Sequence, residues 1–170
     1  MNLENYIRDV LDFPKPGIIF KDITPLLKEP KAFNESLKVM EDHLTEDNFD
    51  YILGIEARGF IFAAALAARM NKGMIPVRKP GKLPAETNRK DYVLEYGTAG
   101  LEIHKDAIEK GDRVLILDDL LATGGTVEAV AMMVEDMGAI VEKMLFLIEL
   151  DFLKPREKLS GYKIESLIHY

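Results

Sequence analysis

The sequence predicts an α/β protein with a mostly parallel, twisted sheet that is flanked by helices on both faces. Three observations predict this fold. Short apolar runs of strand length alternate with segments of helical periodicity. Two of the runs are predicted core strands: residues 51–55, and residues 114–117, which are aliphatic throughout, as is typical of a strand buried on both faces. Each of these two runs leads through a small glycine-containing loop into a helix, which is the connection of a parallel β–α unit.

Length and composition exclude several classes of protein. The 170 residues, 48% of them hydrophobic, are enough for one domain with a substantial core. Apolar runs of membrane length and a signal peptide are both missing, so we expect a cytoplasmic protein without membrane contact. The net charge of −7 argues against nucleic-acid binding. The chain has no cysteine, and its three histidines lack metal-ligand spacing, so we expect no protein-held metal site.

The N-terminal third is predicted to contain two helices around an extended segment. Apolar residues at helical spacing indicate a helix over residues 3–11, which the turn-forming residues 12–17 end. Residues 18–20 form a short apolar extended piece. Thr24 is a candidate N-cap with Pro25 at the first helical position. A further helix covers residues 33–44.

The first β–α unit places a cation at a strand-to-helix connection. Residues 51–55 form the strand, 56–59 a tight loop and 60–70 an alanine-rich helix. Ligands of open α/β sheets bind at such connections, which favours a functional role for Arg58. The alternative is an ordinary surface ion pair.

A basic segment with prolines and a glycine, residues 78–91, follows the predicted strand 74–77. Loops of this length inside compact domains are often active-site lids, and this one would suit closure on an anion. The alternative is a solvated connection. Residues 92–96 and 101–104 are predicted to form a hairpin behind it.

The stretch 114–126 carries the strongest functional signal. The strand 114–117 ends at Asp118 and Asp119, a glycine-containing turn follows, and Thr126 is a candidate cap for a helix that ends before Gly138. Backbone N–H groups of such a turn point at one spot and bind phosphate, while the carboxylates can accept hydrogen bonds from sugar hydroxyls. A sugar phosphate is therefore the predicted ligand. The alternative is an ordinary α/β turn, and neither a Walker P-loop nor a dinucleotide fingerprint is present. Strands at 140–148 and, at a sheet edge, 162–168 complete the fold.

The segment Asp118-Asp119-Leu120-Leu121-Ala122-Thr123-Gly124-Gly125-Thr126 resembles the phosphoribosyl-pyrophosphate (PRPP) motif of the type I phosphoribosyltransferases. Residues 13–27, the loop 56–59 and residues 78–97 are similar to three further family segments, in family order. The Leu-Leu-Ala variant and residues 13–27 resemble the adenine-specific members. The resemblance implies a single domain over 1–170, with an N-terminal hood segment (residues 1–30) and a flexible lid and hairpin (residues 78–104).

The implied reaction is transfer of the 5-phosphoribosyl group from PRPP to adenine, giving AMP and pyrophosphate in purine salvage. It passes through an oxocarbenium-like state, with Mg²⁺ bound mainly through PRPP and water, in a symmetric homodimer. Two alternatives remain open on the residues alone. One is the same reaction with xanthine, hypoxanthine or guanine. The other is a PRPP-sensing regulator without catalysis.

The resemblance also assigns site residues, which fall into four groups. The ribose and 5-phosphate are assigned to Asp118, Asp119, Ala122, Thr123, Gly124, Gly125 and Thr126. Pyrophosphate is assigned to Arg58, Lys79, Lys82 and Arg78, the last in its own subunit or across the dimer interface. Adenine is assigned to Ile19, Lys21 and Leu120. Glu95 is the candidate for proton transfer, because the attacking adenine must lose a proton; the alternative is a surface carboxylate of the hairpin.

Overall fold

A computed structural model of the chain describes residues 1–93 and 98–170. Its helices and strands in chain order are β1 (Arg8–Leu11), β2 (Ile19–Asp22), α1 (Thr24–Lys28), α2 (Pro30–Asp42), β3 (Tyr51–Ile55), α3 (Gly59–Met70), β4 (Gly73–Val77), β5 (Thr87–Val93), β6 (Thr98–His104), β7 (Arg113–Leu121), α4 (Gly125–Asp136), β8 (Ile140–Glu149), α5 (Pro155–Lys158) and β9 (Ile164–His169). In the described part of the chain, no helix is long and apolar enough to cross a bilayer.

The central sheet is parallel throughout, with the strand order β4-β3-β7-β8-β9, which confirms the predicted fold class. Its middle strand, β7, is buried on both faces. Leu115 and Leu117 belong to the cluster that α2 and α3 cover, and Val114 and Ile116 to the cluster that α4 covers. The predicted edge strand at 162–168 corresponds to β9. Pro76 lies in β4 at the opposite edge, where a missing N–H is tolerated.

The predicted helix over residues 3–11 is wrong. A single 3₁₀ turn covers Leu3–Tyr6, and β1 then pairs antiparallel with β2. Cross-strand pairing decides the conformation here, because Arg8 lies opposite Asp22 and its Nε donates to Asp22 Oδ2 at 2.9 Å. Helical spacing of apolar residues in a short segment does not exclude a strand when such a partner exists.

The hairpin of the lid is longer than predicted. Strand β5 begins at Thr87 rather than at residue 92, and it pairs with β6 in continuous register from Thr87 opposite His104 to Val93 opposite Thr98. The irregular segment is therefore only 78–86. The polar strand β5 packs on α4, where Lys90 Nζ donates to Asp136 Oδ2 at 3.2 Å. The charged residues of β5 are not typical of a strand, because this strand is stabilised by pairing with β6 rather than by burial.

Two details of the stretch 114–126 also differ from the prediction. Strand β7 does not end at the aspartates but continues to Leu121. Helix α4 begins at Gly125, and its N-cap is Gly124, whose φ of 86° is in the left-handed region that favours glycine. Thr126 therefore lies inside the first helical turn, where its side chain does not cap the helix.

Candidate active site

The two predicted β–α connections meet at the carboxyl ends of neighbouring strands. β3 and β7 are paired in parallel, with Gly54 opposite Leu117, so the loops that follow them lie side by side. A Cβ atom on Gly59 would lie 2.8 Å from Asp118 Oδ1 and 3.1 Å from the Leu117 carbonyl oxygen. Glycine at position 59 therefore permits the first turn of α3 to contact the end of β7. This is the position at which open α/β sheets bind ligands.

An ion pair joins the two loops. Arg58 Nε lies 2.9 Å from Asp119 Oδ2, and Asp119 is only 4% exposed. Asp119 Oδ2 is buried and accepts no hydrogen bond of good geometry, and the Arg58 guanidinium is the largest of the groups that oppose the burial of this charge. The guanidinium carbon also lies 4.9 Å from the ring centroid of Phe20, in the hood segment. A buried carboxylate oxygen without a hydrogen-bond donor indicates a place for a ligand hydroxyl.

The two aspartates perturb each other. Burial, together with the charge of Asp119, raises the pKa of Asp118 well above that of an ordinary carboxyl. Burial also raises the pKa of Asp119, although Arg58 opposes this shift. Asp118 Oδ1 accepts the backbone N–H of Asp119 at 2.8 Å. The two carboxylates are therefore incompletely stabilised in the free protein. A sugar would supply hydroxyl groups as hydrogen-bond donors, and a developing cation would supply positive charge.

A small cavity lies beside the aspartates. Its volume is about 80 Å³, which suits one phosphate group, and its wall includes Asp118, Ala122, Thr123, Gly124 and Thr126. The wall is the loop between β7 and α4, whose helix N-terminus attracts anions. The structure thus brings together in one wall five of the residues that the resemblance assigns to the ribose and 5-phosphate, with Asp119 and Gly125 next to them in the chain.

The hairpin contacts this cavity wall. The Thr126 hydroxyl donates to the Tyr92 hydroxyl oxygen at 3.3 Å, so strand β5 touches the first turn of α4. This contact links the predicted lid to the phosphate loop. Glu95, the candidate for proton transfer, lies outside the described residues.

Of the basic lid residues assigned to pyrophosphate, Arg78 is held in an ion pair, whereas the lysine side chains are exposed. Arg78 Nε lies 3.2 Å from Glu56 Oε2, and the same oxygen accepts the backbone N–H of Lys79 at 2.8 Å. Glu56 thereby ties the start of the lid to the loop that carries Arg58. The side chains of Lys79 and Lys82 are exposed to solvent. The cations assigned to pyrophosphate are therefore grouped around the Arg58 loop, with two of them on a surface segment.

The residues assigned to the base lie on two strands, Ile19 and Lys21 on β2 and Leu120 on β7. Ile19 is 52% exposed, and Leu120 is half-buried in the wall of the cavity. Lys21 contacts Asp9 and the ring of Tyr170. Phe20, which sequence reasoning did not assign to the site, points instead towards Arg58. Successive strand residues point to opposite faces, so the alternation Ile-Phe-Lys was the signal that Phe20 and Lys21 could not share one ligand.

A second group of polar side chains lies at the ends of β8 and β9. Glu149, Asp151 and His169 lie close enough to resemble a metal site. However, Arg156 donates to both Glu149 oxygens at 2.8 Å, and the Ser166 hydroxyl donates to one of them at 2.7 Å. The Glu149 carboxylate is therefore occupied by ion pairing and hydrogen bonding.

Comparisons with known proteins agree with this geometry. The family model of the phosphoribosyl transferase domain matches residues 23–155. The adenine phosphoribosyltransferase of Kosmotoga olearia is 56% identical over 170 residues, covering 100% of both chains. The crystal structure of adenine phosphoribosyltransferase from Thermoanaerobacter pseudethanolicus is 57% identical, with a TM-score of 0.97, covering 99% of this chain and 98% of that one. The Saccharomyces cerevisiae enzyme, solved with D-2,5-dideoxy-2,5-imino-altritol 1,6-bisphosphate and adenine, is 40% identical with a TM-score of 0.93, covering 97% and 96%.

The matched region contains the Arg58 loop, the lid and the phosphate loop, which are the three parts that meet at the ends of β3 and β7. Full-length similarity above 50% identity and the shared fold give the same assignment. The chain belongs to the phosphoribosyltransferase family.

Proposed function

We propose that this protein transfers the 5-phosphoribosyl group of PRPP to adenine and releases AMP and pyrophosphate. One observation carries the proposal: a phosphate-sized cavity adjoins the half-buried Asp118, the buried Asp119 and a guanidinium at the ends of paired parallel strands. The relatives named above as adenine phosphoribosyltransferases support adenine as the acceptor.

The ribose phosphate occupies the cavity and the carboxylates beside it. The loop from Ala122 to Thr126 binds the 5-phosphate through backbone N–H groups. Asp118 and Asp119 accept hydrogen bonds from the ribose hydroxyls. As the bond to pyrophosphate breaks, positive charge develops on the ribose, and two preorganised carboxylates stabilise it. Their raised pKa values in the free protein fall when this charge and the hydroxyl donors arrive.

Pyrophosphate leaves towards the cations of the Arg58 loop and the lid. Arg58 is fixed by Asp119, and Arg78 is fixed by Glu56, so two guanidinium groups are held near the strand ends before substrate binds. Lys79 and Lys82 add mobile ammonium groups on an exposed segment that can close on the leaving group. Closure also keeps water away from the ribosyl cation. Water that reached the cation would hydrolyse PRPP.

The base is bound between the hood segment and β7. Leu120 and the Phe20 ring, on the side of Arg58, supply apolar surface, and Ile19, whose side chain lies on the other face of β2, contributes its backbone. Glu95 remains the candidate that accepts the proton from adenine.

Mg²⁺ would be held mainly by PRPP and water, because Asp119 Oδ2 is already ion-paired with Arg58 and the aspartates accept the ribose hydroxyls. When bound with PRPP and water, Mg²⁺ neutralises part of the charge of pyrophosphate. A homodimer and a cytoplasmic location are further parts of the proposal, and they are supported by the resemblance to the family.

A panel of purines tests the proposed acceptor. The protein is incubated with PRPP, Mg²⁺ and, in turn, adenine, hypoxanthine, guanine and xanthine, and pyrophosphate release is measured. We expect release with adenine to be the fastest of the four, because the relatives that share more than half of the sequence are adenine phosphoribosyltransferases. Faster release with another base would replace adenine as the substrate. No release with any base would favour a PRPP sensor.

Neutralising Lys82 tests the role of the lid. We expect Lys82→Gln to lower kcat at least about 10-fold while the KM for adenine changes less than twofold, because the ammonium group acts on the leaving pyrophosphate rather than on the base. Lys38→Gln, on the exposed side of α2, is the matched control and should leave kcat unchanged. An unchanged kcat in Lys82→Gln would mean that the lid lysine is merely solvated.

A further inference from the structure

We propose that Tyr170 is a positioning residue: it holds the hood strand β2 in place for base binding by contacting Lys21. This inference rests on the proposed function, because β2 carries Ile19 and Phe20, which we assign to the base. It differs from the expectation that the Lys21 side chain contacts adenine itself.

The contact between Lys21 and Tyr170 is close and shielded. Lys21 Nζ lies 3.4 Å from the centroid of the Tyr170 ring, within the range of a cation–π interaction. The same nitrogen lies 2.7 Å from Asp9 Oδ1, on the paired strand β1. The Lys21 side chain is only 10% exposed, so solvent weakens these interactions less than it would at an open surface.

Tyr170 is itself attached to the central sheet. Its backbone N–H donates to the Glu149 carbonyl oxygen at 3.0 Å, and its own carbonyl oxygen accepts the backbone N–H of Asp151 at 2.8 Å. These bonds extend the pairing of β9 with β8 by one residue. The ring packs against the buried cluster that includes Leu147 and Ile168. A rigid strand therefore presents the ring face to the hood.

The alternation of β2 explains how this contact affects the base. Phe20 points towards Arg58 and the active site, whereas Lys21 points to the opposite face, towards Tyr170. Fixing Lys21 consequently fixes the position of Phe20. The two-stranded sheet of β1 and β2 has little stability by itself, and the contact between Lys21 and Tyr170 anchors it to the central sheet.

The ring remains neutral while it performs this role. Burial, followed by the negative charges of Asp9 and Glu4, raises the pKa of the Tyr170 hydroxyl above its ordinary value. The hydroxyl therefore stays protonated at neutral and mildly alkaline pH. The contact depends on the ring face and not on the hydroxyl group.

The test compares Tyr170→Leu with the conservative Tyr170→Phe and with Lys21→Met. We expect Tyr170→Leu to raise the KM for adenine about 2- to 10-fold, the range that a partly buried cation–π contact implies, while the KM for PRPP stays within twofold. Tyr170→Phe keeps the ring face and should restore wild-type values. Equal effects on both KM values, or no effect on that for adenine, would overturn the proposal.

A double-mutant cycle and hydrogen exchange complete the test. If Lys21 and Tyr170 act together, the double variant Lys21→Met/Tyr170→Leu should be no worse than the worse single variant, whereas multiplied effects would contradict the coupling. Amide exchange of residues 19–22 should be faster in Tyr170→Leu than in Tyr170→Phe. This measurement needs no substrate, so it remains decisive even if the wild-type protein fails to make AMP, which would refute the proposed function instead. Unchanged exchange would refute the positioning role.

Discussion

Replacing Gly125 by valine is expected to weaken PRPP binding at least about 100-fold while the protein keeps its fold. The free protein has room for a side chain at this position, because a Cβ atom would have its nearest neighbours, Thr123 Oγ1 and Lys158 Nζ, at 3.9 and 4.0 Å. Because side chains of a helix tilt towards its N-terminus, we expect the branched side chain to reach the space that the 5-phosphate requires. Losing two hydrogen bonds to a charged phosphate costs about 3–6 kcal/mol, which is 100-fold or more in affinity.

Calorimetric titration with PRPP and Mg²⁺, together with thermal unfolding, separates the two parts of this prediction. Glycine costs about 1 kcal/mol and valine about 0.5 kcal/mol relative to alanine in a helix, so the replacement itself should not lower helix stability. Ala68→Val, on the exposed side of α3, measures the cost of a helical valine relative to alanine away from the site. Gly124→Val is a useful contrast, because its φ of 86° and a Pro155 oxygen 3.3 Å from the Cβ position predict a loss of stability as well. Wild-type PRPP affinity in Gly125→Val would refute the phosphate site.

Replacing Asp118 by asparagine is expected to lower kcat at least about 100-fold and to raise the melting temperature. The carboxylate stabilises the developing ribosyl cation, and removal of one preorganised charge costs about 3–4 kcal/mol in the transition state. The same charge is unfavourable in the free protein, because burial beside Asp119 raises the pKa of Asp118 well above its ordinary value. Asparagine keeps the Oδ1 atom that accepts the backbone N–H of Asp119 at 2.8 Å, so the loop retains its hydrogen bond.

The sign of the stability effect depends on pH. A raised carboxyl pKa means that the folded state binds the proton more tightly than the unfolded state. Ionised Asp118 therefore destabilises the fold in full above its raised pKa, and the penalty vanishes below the ordinary carboxyl pKa. The variant should melt several degrees higher at pH 8, because each kcal/mol of stability corresponds to about 2–4 °C in a domain of this size, and little higher near pH 4. Asp106→Asn, an exposed control, should show neither change. A lower melting temperature of Asp118→Asn at pH 8 would contradict this account.

The sheet and the β–α units could be predicted because burial on both faces leaves a continuous apolar run in the sequence. Strands that form through pairing alone leave no such signal. The spacing of apolar residues in β1 indicates a helix, although its conformation follows from the partner strand β2. The charged residues at the start of β5 are typical of a loop, yet they are paired with β6 in full register. Local periodicity reports burial, and it misses strands whose partners are distant in the chain.

The candidate site shows the same division. Arg58, Asp118 and Asp119 could be chosen from their places after apolar strands, and the structure brings them together. Their mutual contact needs the pairing of β3 with β7 and the absence of a side chain on Gly59, which a linear pattern does not contain. Phe20 was not assigned to the site for a related reason. Which face of β2 lies towards the site depends on how the paired strands β1 and β2 pack on the rest of the protein.

Phosphorus NMR of the complete reaction tests the central claim most directly. The protein is mixed with PRPP, Mg²⁺ and adenine, and the ³¹P signals of PRPP, AMP and pyrophosphate are followed together. The account predicts that PRPP disappears only when adenine is present, with AMP and pyrophosphate appearing in equal amounts. Pyrophosphate without AMP would show hydrolysis instead of transfer, and PRPP that binds but is not consumed would show a sensor; either result would contradict the account.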